Sequence, residues 1–215
     1  KHRGYRDERD MFPPAVQVVR AVRPKAFVFE NVRGLLRKSF AKYFGYVLLQ
    51  LQYPELARAE GESWTEHQAR LEQHHTGGVE RGLRYRVVFQ RVNAADYGVP
   101  QTRERVIIVG FRWDIQERWS FPTPSHSLDA LETAKWLTGA YWEEHGVARR
   151  KRPAPPAGIE RQLERMATLT CAARWRAVRD ALLGLPDPRS PEALLVPNHK
   201  PQEGARKYPG HTGSE

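Results

Sequence analysis

Arg84–Arg112 reads RYRVVFQRVNAADYGVPQTRERVIIVGFR, and its interpretation decides the fold. Two β-branched, apolar runs, Val87–Phe89 and Val106–Val109, flank a loop that ends in Gly98-Val99-Pro100-Gln101-Thr102-Arg103-Glu104-Arg105. Runs of this composition bounded by Asn, Asp, Gly and Pro predict two strands joined by a shaped connection. Arg103 and Arg105 alternate where the second strand begins, so both side chains are expected on one face. Two parallel guanidiniums beside a proline-fixed turn suit a phosphate, a carboxylate or a polar base edge. A solvated strand end with two surface arginines has the same pattern, and this stretch by itself leaves both readings open.

Upstream, the apolar residues of Met11–Arg23 recur close to helical spacing, with Pro13 and Pro14 in the first turn and Pro24 at the end. Ala26–Phe29 is a short apolar run of the kind expected of a buried parallel strand, followed directly by Glu30-Asn31-Val32 and Arg33-Gly34 as a polar turn. Ser39–Leu51 predicts a second helix with Ser39 as its N-cap. Glu55–Gly78 is polar and predicts a solvent-facing helix or insertion. Helix, strand and polar turn in this order are the grammar of an α/β fold.

Beyond Trp113 the composition changes. A turn-rich segment precedes a short helical pattern at Leu131–Tyr141, a basic Pro-rich linker at Ala148–Gly158 and a helical pattern at Ile159–Leu185. We therefore expect a compact α/β domain over residues 1–115 and an irregular region over 116–215.

The 215 residues include 35 Lys and Arg against 25 Asp and Glu, a net charge of +10. Eight of the 35 are Lys, leaving 27 Arg. A pI near 10.0 favours a polyanionic partner, nucleic acid before others. With a mean hydropathy of -0.67 and no apolar run of spanning length, no membrane partner is expected. The opening KHRGYRDERD has no apolar core and is not a secretory signal. It also lacks an initiator Met, so the chain is expected to begin inside a longer protein. One cysteine, Cys171, excludes an internal disulfide and any cysteine-based zinc site and implies a reducing compartment. The adjacent His74-His75 cannot face one ligand from a helix, so no metal is expected.

Glu30, a carboxylate at the end of a strand, stands where open α/β sheets bind ligands. Partial burial there would raise its pKa and let it protonate a ring nitrogen. Taken singly, it reads first as an ordinary polar residue closing a strand, with Asn31 starting a turn. The combination is more specific. FVFENVRGL at 27–35, followed by NAADYGVPQTRER at 93–105, resembles the DNA cytosine-5 methyltransferases, in which a Glu-Asn-Val motif follows a central strand and a Gln-x-Arg-x-Arg motif follows a Tyr-Gly-Val-Pro turn. GYRDERDMF at 4–12 is similar to the segment after that family's Pro-Cys loop. The resemblance covers Gly4–Arg112 well and is weaker from Trp113 to the ending GAR…YPGHTG at 204–213.

The resemblance implies transfer of a methyl group from S-adenosylmethionine to C5 of a cytosine flipped out of double-stranded DNA, after a cysteine thiolate has added to C6. It implies that Glu30 protonates N3, that Arg105 bonds the cytosine O2 and that Arg103 supports the site or reaches a flanking phosphate. Asn31, Val32 and Gln101 would shape the substrate site, and Met11 would touch the adenine of the cofactor. It further implies a prokaryotic, cytoplasmic, DNA-associated enzyme of a restriction-modification system, working beside a cognate restriction endonuclease without touching it. The expected fold is α/β: the second half of a Rossmann-like methyltransferase sheet with an edge hairpin, followed by part of a target-recognition region.

The chain departs from the pattern in lacking the Pro-Cys nucleophile and the Gly-rich cofactor motif. Cys171, in Thr170-Cys171-Ala172-Ala173, reads as a small buried residue of a distal helix. The chain is thus expected to start just after the nucleophile loop, to end inside the recognition region and to be inactive alone. A sheet cut this way is expected to expose an apolar edge and be aggregation-prone. A non-catalytic DNA-binding pseudo-enzyme, or one subunit of a split methyltransferase, stands as the alternative.

Overall fold

The structure is a computed structural model, and it describes residues 10–78, 82–116, 119–159 and 172–201. These fall into two compact units. One is made of the described residues of Lys1–Asn93 and Glu104–Pro122, the other of those of Ala94–Arg103 and Thr123–Glu215.

The first unit is a helix-covered sheet. Helix α1, Phe12–Val22, starts with prolines in its first turn and ends at Arg23, whose φ of 51° is left-handed. Strand β1 covers Ala26–Val32, helix α2 Ala41–Gln52 and helix α3 Trp64–Thr76. Strands β2, Tyr85–Asn93, and β3, Glu104–Arg112, pair antiparallel. The sheet order is β1-β3-β2, and β3 is antiparallel to both neighbours. The last of these three strands in sequence is therefore central.

Three expectations change here. The 26–29 strand is neither buried on both faces nor, among the described residues, paired in parallel, because its partner is β3. It also runs on through Glu30, Asn31 and Val32, which read as a turn in the sequence but pair with Ile107, Val106 and Arg105. Ladder bonds to β3 override the weak strand propensity of Glu and Asn. Ser39 is not a helix cap, since α2 begins at Ala41 after a 3-10 turn over Lys38–Phe40.

Alternation gives the sheet two unlike faces. Phe27, Phe29, Tyr85, Val87, Val106 and Ile108 meet Val16 and Val19 of α1 and Phe44, Val47 and Leu51 of α2 in one core. Gly110, opposite Phe27, makes this possible. The Phe27 ring lies over it so closely that a Cβ there would stand 2.1 Å from the ring. The other face carries Val28, Val32 and Val88, which are 65%, 57% and 42% exposed. Glu30 and Arg105 stand on that same open face.

Helix α3 is less solvent-facing than its polarity predicts. Ser63 and Glu66 form a capping box at its start, and His67, Gln68 and Leu71 are buried. His67 Nε2–H donates to Leu56 O at 2.7 Å, which leaves Nδ1 to accept the Tyr46 hydroxyl at 2.8 Å.

The second unit contains β4 (His126–Ser127), α4 (Leu128–Glu132), α5 (Ala140–Glu144), β5 (Ala173–Arg174) and α6 (Val178–Leu182). A π turn at Thr133–Leu137 follows α4. Strands β4 and β5 pair in parallel. Leu131, Tyr141 and Trp142 form the core, with Trp136 and Trp175 packed against it, so these tryptophans are structural. Of the helical pattern at Ile159–Leu185, residues 173–174 join a sheet instead, and a helix is present at Val178–Leu182. Residues 160–171 of the expected helix, Cys171 among them, and the ending at 204–213 lie outside the described residues.

Candidate active site

Register brings Glu30 to Arg105. In the β1–β3 ladder Glu30 opposes Ile107 and Val32 opposes Arg105, so Glu30 and Arg105 are diagonal neighbours on one face. Glu30 Oε1 lies 2.5 Å from Arg105 Nε, with the two side chains 51% and 24% exposed. Glu30 is thus less enclosed than its proposed acid role led the sequence reading to expect. A second Arg105 nitrogen, Nη1, donates to Glu104 O at 2.8 Å, fixing the guanidinium from its own strand.

A reciprocal ion pair holds the same elements from the opposite face. Arg33, just after β1, pairs with Glu104 at the start of β3, and Arg91 on β2 lies 3.9 Å from the same carboxylate. Sequence reading passed over Glu104 and Arg33. The signal was the acidic residue between two arginines in Thr102-Arg103-Glu104-Arg105, whose side chain alternation sends the other way.

The remaining candidates are dispersed. Val32 is exposed beside Arg105, whereas Asn31 alternates to the other face and its Oδ1 accepts the Val32 N–H at 2.8 Å. Arg103 is exposed and precedes β3 by one residue, so strand alternation orients Arg105 only. Its carbonyl accepts the Ala94 N–H at 3.0 Å and closes the loop. Gln101 is exposed in that loop, and its N–H donates to Val99 O at 2.7 Å. Met11 is 69% exposed at the start of α1. Arg149, Arg150 and Lys151 form one exposed 3-10 turn.

In the second unit, Glu144, His145 and Asp180 stand close enough to share a metal ion. Arg174 already occupies both carboxylates at 2.7 Å, and His145 Nε2 lies 2.9 Å from Asp180 Oδ1. Burial pushes the Asp180 carboxyl up, but hydrogen bonds from Arg174 and the Ala177 N–H outweigh it and hold the pKa at about 2. This is a partly buried ion network with its cation built in.

Among the described residues, no helix is long and apolar enough to cross a membrane. Comparison with known proteins agrees with the motifs. The model of the C-5 cytosine-specific DNA methylase family matches residues 1–53 and 72–152. The Type II methyltransferase M.AplI of Arthrospira platensis is 32% identical over 199 residues, covering 87% of this chain and 49% of that protein. M.AquIA of Picosynechococcus sp. is 33% identical over 127 residues, 59% of this chain and 42% of that protein. M.BsuRI of Bacillus subtilis is 38% identical over 103 residues, 48% and 17%. The chain spans about half the length of the first of these relatives and less of the others. By family model and by similarity to these relatives, the chain belongs to the C-5 cytosine-specific DNA methylases.

Proposed function

We propose that this chain supplies the base-binding half of a restriction-modification DNA cytosine-5 methyltransferase. The observation that carries the reading is the Glu30–Arg105 pair, which presents a carboxyl oxygen and a guanidinium nitrogen side by side on an open sheet face. Cytosine offers a ring nitrogen, N3, beside a carbonyl, O2. A flipped base would take the Glu30 proton at N3 and the Arg105 N–H at O2, where charge collects once a thiolate has added to C6. Arg103 would meet a flanking phosphate, and Val32 and Gln101 would border the base. The chain's net positive charge suits double-stranded DNA.

S-adenosylmethionine is the family's methyl donor. An exposed Met11 does not by itself make a site for it. The thiol and the cofactor site would come from outside these residues. Further strands pairing with the edge of β1 that no described strand occupies, and helices over Val28 and Val88, would complete a Rossmann-like sheet while leaving Glu30, Val32 and Arg105 open to the base. We assign residues 1–115 to the catalytic domain and 116–215 to target recognition. The enzyme would work on DNA in the prokaryotic cytoplasm, beside an endonuclease it does not contact.

The test uses labelled S-adenosylmethionine and duplex DNA. The methyltransferase carrying this sequence with its Pro-Cys loop should form 5-methylcytosine, and the 215-residue chain should not. Product from the chain alone would overturn the division of the site, and none from the larger enzyme would favour a DNA-binding pseudo-enzyme.

A further inference from the structure

The loop between β2 and β3 leaves the sheet unit to join the other one. Residues Ala94–Arg103 cluster with the second unit, although Asn93 and Glu104 at its ends are paired in the sheet. Three contacts hold it there. Asp96 Oδ1 accepts the indole N–H of Trp175 at 2.9 Å, and Asp96 O accepts the Ser125 N–H at 3.0 Å. The third is the His126 ring, which lies against Gly98. Gly98 has a φ of +84°, and a Cβ there would stand 2.8 Å from His126 Cε1, so both backbone shape and space demand glycine.

These anchors are themselves fixed. His126 is in β4 and Trp175 immediately follows its partner β5. Ala173 N–H donates to Ser125 O and Trp175 N–H to Ser127 O, so the β4–β5 ladder sets the distance between the two anchor points. Trp175 also packs on the unit's aromatic core. Within the loop, Ala95 is buried, and Gly98 N–H and Val99 N–H return to Ala95 O and Ala94 O. The loop is a hydrogen-bonded part of the second unit, and Arg103 ends it two residues before Arg105.

We propose that Asp96, Trp175 and His126 are positioning residues that tie the arginine segment to the target-recognition unit. A shift of the recognition unit would pull on Arg103 through the loop and on Arg105 through the chain. Seating of the recognition unit on its DNA target thereby sets whether the arginines stand ready for the base. The proposal rests on the cytosine methyltransfer reading above, and it adds a physical route from recognition to chemistry.

The experiment compares Asp96→Ala, Asp96→Asn and Trp175→Phe in the methyltransferase carrying this sequence with its nucleophile. Asparagine retains an oxygen that accepts the indole N–H, whereas alanine does not, and phenylalanine removes the donor while keeping an aromatic ring. Displacing a reacting group by an ångström costs up to roughly 100-fold. Asp96→Ala and Trp175→Phe should lower kcat by about tenfold to 100-fold, with KM for duplex DNA changed little and Asp96→Asn retaining most of the rate. In parallel, the Trp175 indole N–H in this chain should be protected from solvent exchange in the wild type and lose that protection in Asp96→Ala. Unchanged kcat in Asp96→Ala, or equal loss in Asp96→Ala and Asp96→Asn, would overturn the proposal. So would a loss confined to KM. A wild-type enzyme that makes no 5-methylcytosine would refute the underlying reading instead, and the exchange measurement would still report on the tether.

Discussion

Glu30 on β1 and Arg105 on β3 meet at 2.5 Å because Val32 and Arg105 share a register position and the ladder leaves Glu30 one diagonal step away. The pair is partly exposed, so its contribution to folding is small, of the order of 0.5 kcal/mol. Its value is geometric. In the methyltransferase, Glu30→Gln should lower kcat by roughly 100-fold or more, while the Kd for duplex DNA changes by less than about threefold. Equal losses in both would remove Glu30 from the chemistry.

Arg105→Lys tests the same pair from the other side. Lysine keeps the charge but loses the planar fork that reaches Glu30 and the Glu104 carbonyl together. Urea denaturation should show a stability change below about 1 kcal/mol, while methyl transfer falls well beyond what that change explains.

Gly110→Ala should be costly despite its small size. The new methyl would collide with the Phe27 ring, which is wedged between Phe29 and Tyr85 with centroids 5.1 Å away on each side. We expect a loss of about 2 kcal/mol in urea denaturation, and recovery of part of it in Gly110→Ala combined with Phe27→Leu.

His67 makes the first unit sensitive to mild acid. Burial lowers its pKa, and in the fold both ring nitrogens are satisfied in the neutral form. The unfolded chain binds a proton that the folded chain refuses. Stability is therefore full above the ordinary histidine value of about 6.5 and falls as pH drops below it. The melting temperature should drop between about pH 7.5 and about pH 5.5, and His67→Gln should flatten that slope.

Asp180 gives the second unit its own dependence at lower pH. Its carboxyl is held at about 2, below its ordinary 3.8, so the stability it contributes is present above 3.8 and lost as pH falls from there through 2. Asp180→Asn should cost about 2 kcal/mol at neutral pH by leaving Arg174 and His145 short of an acceptor, and should abolish the acid-linked part of the transition followed by tryptophan fluorescence.

Much of the site's chemistry was legible in local pattern. β-branched runs, the proline-fixed loop and the Glu-Asn-Val and Gln-x-Arg-x-Arg strings identified two strands, the family and the residues worth testing. Helix α1 was also readable, because prolines and apolar spacing act over a few residues. The short strand at Ala173–Arg174 was not, since a two-residue strand exists only through its partner.

The sequence by itself determined the residue types at the site, the charge and the local propensities, all of which depend on near neighbours. Only the tertiary structure decided that β3 lies between β1 and β2, which turns Glu30 toward Arg105 and Arg33 toward Glu104. It also decided that the loop carrying Arg103 belongs with His126 and Trp175 rather than with its own strands. Register, burial and a hydrogen bond to a distant indole are set by which segments pack together, and no local window of residues contains that information.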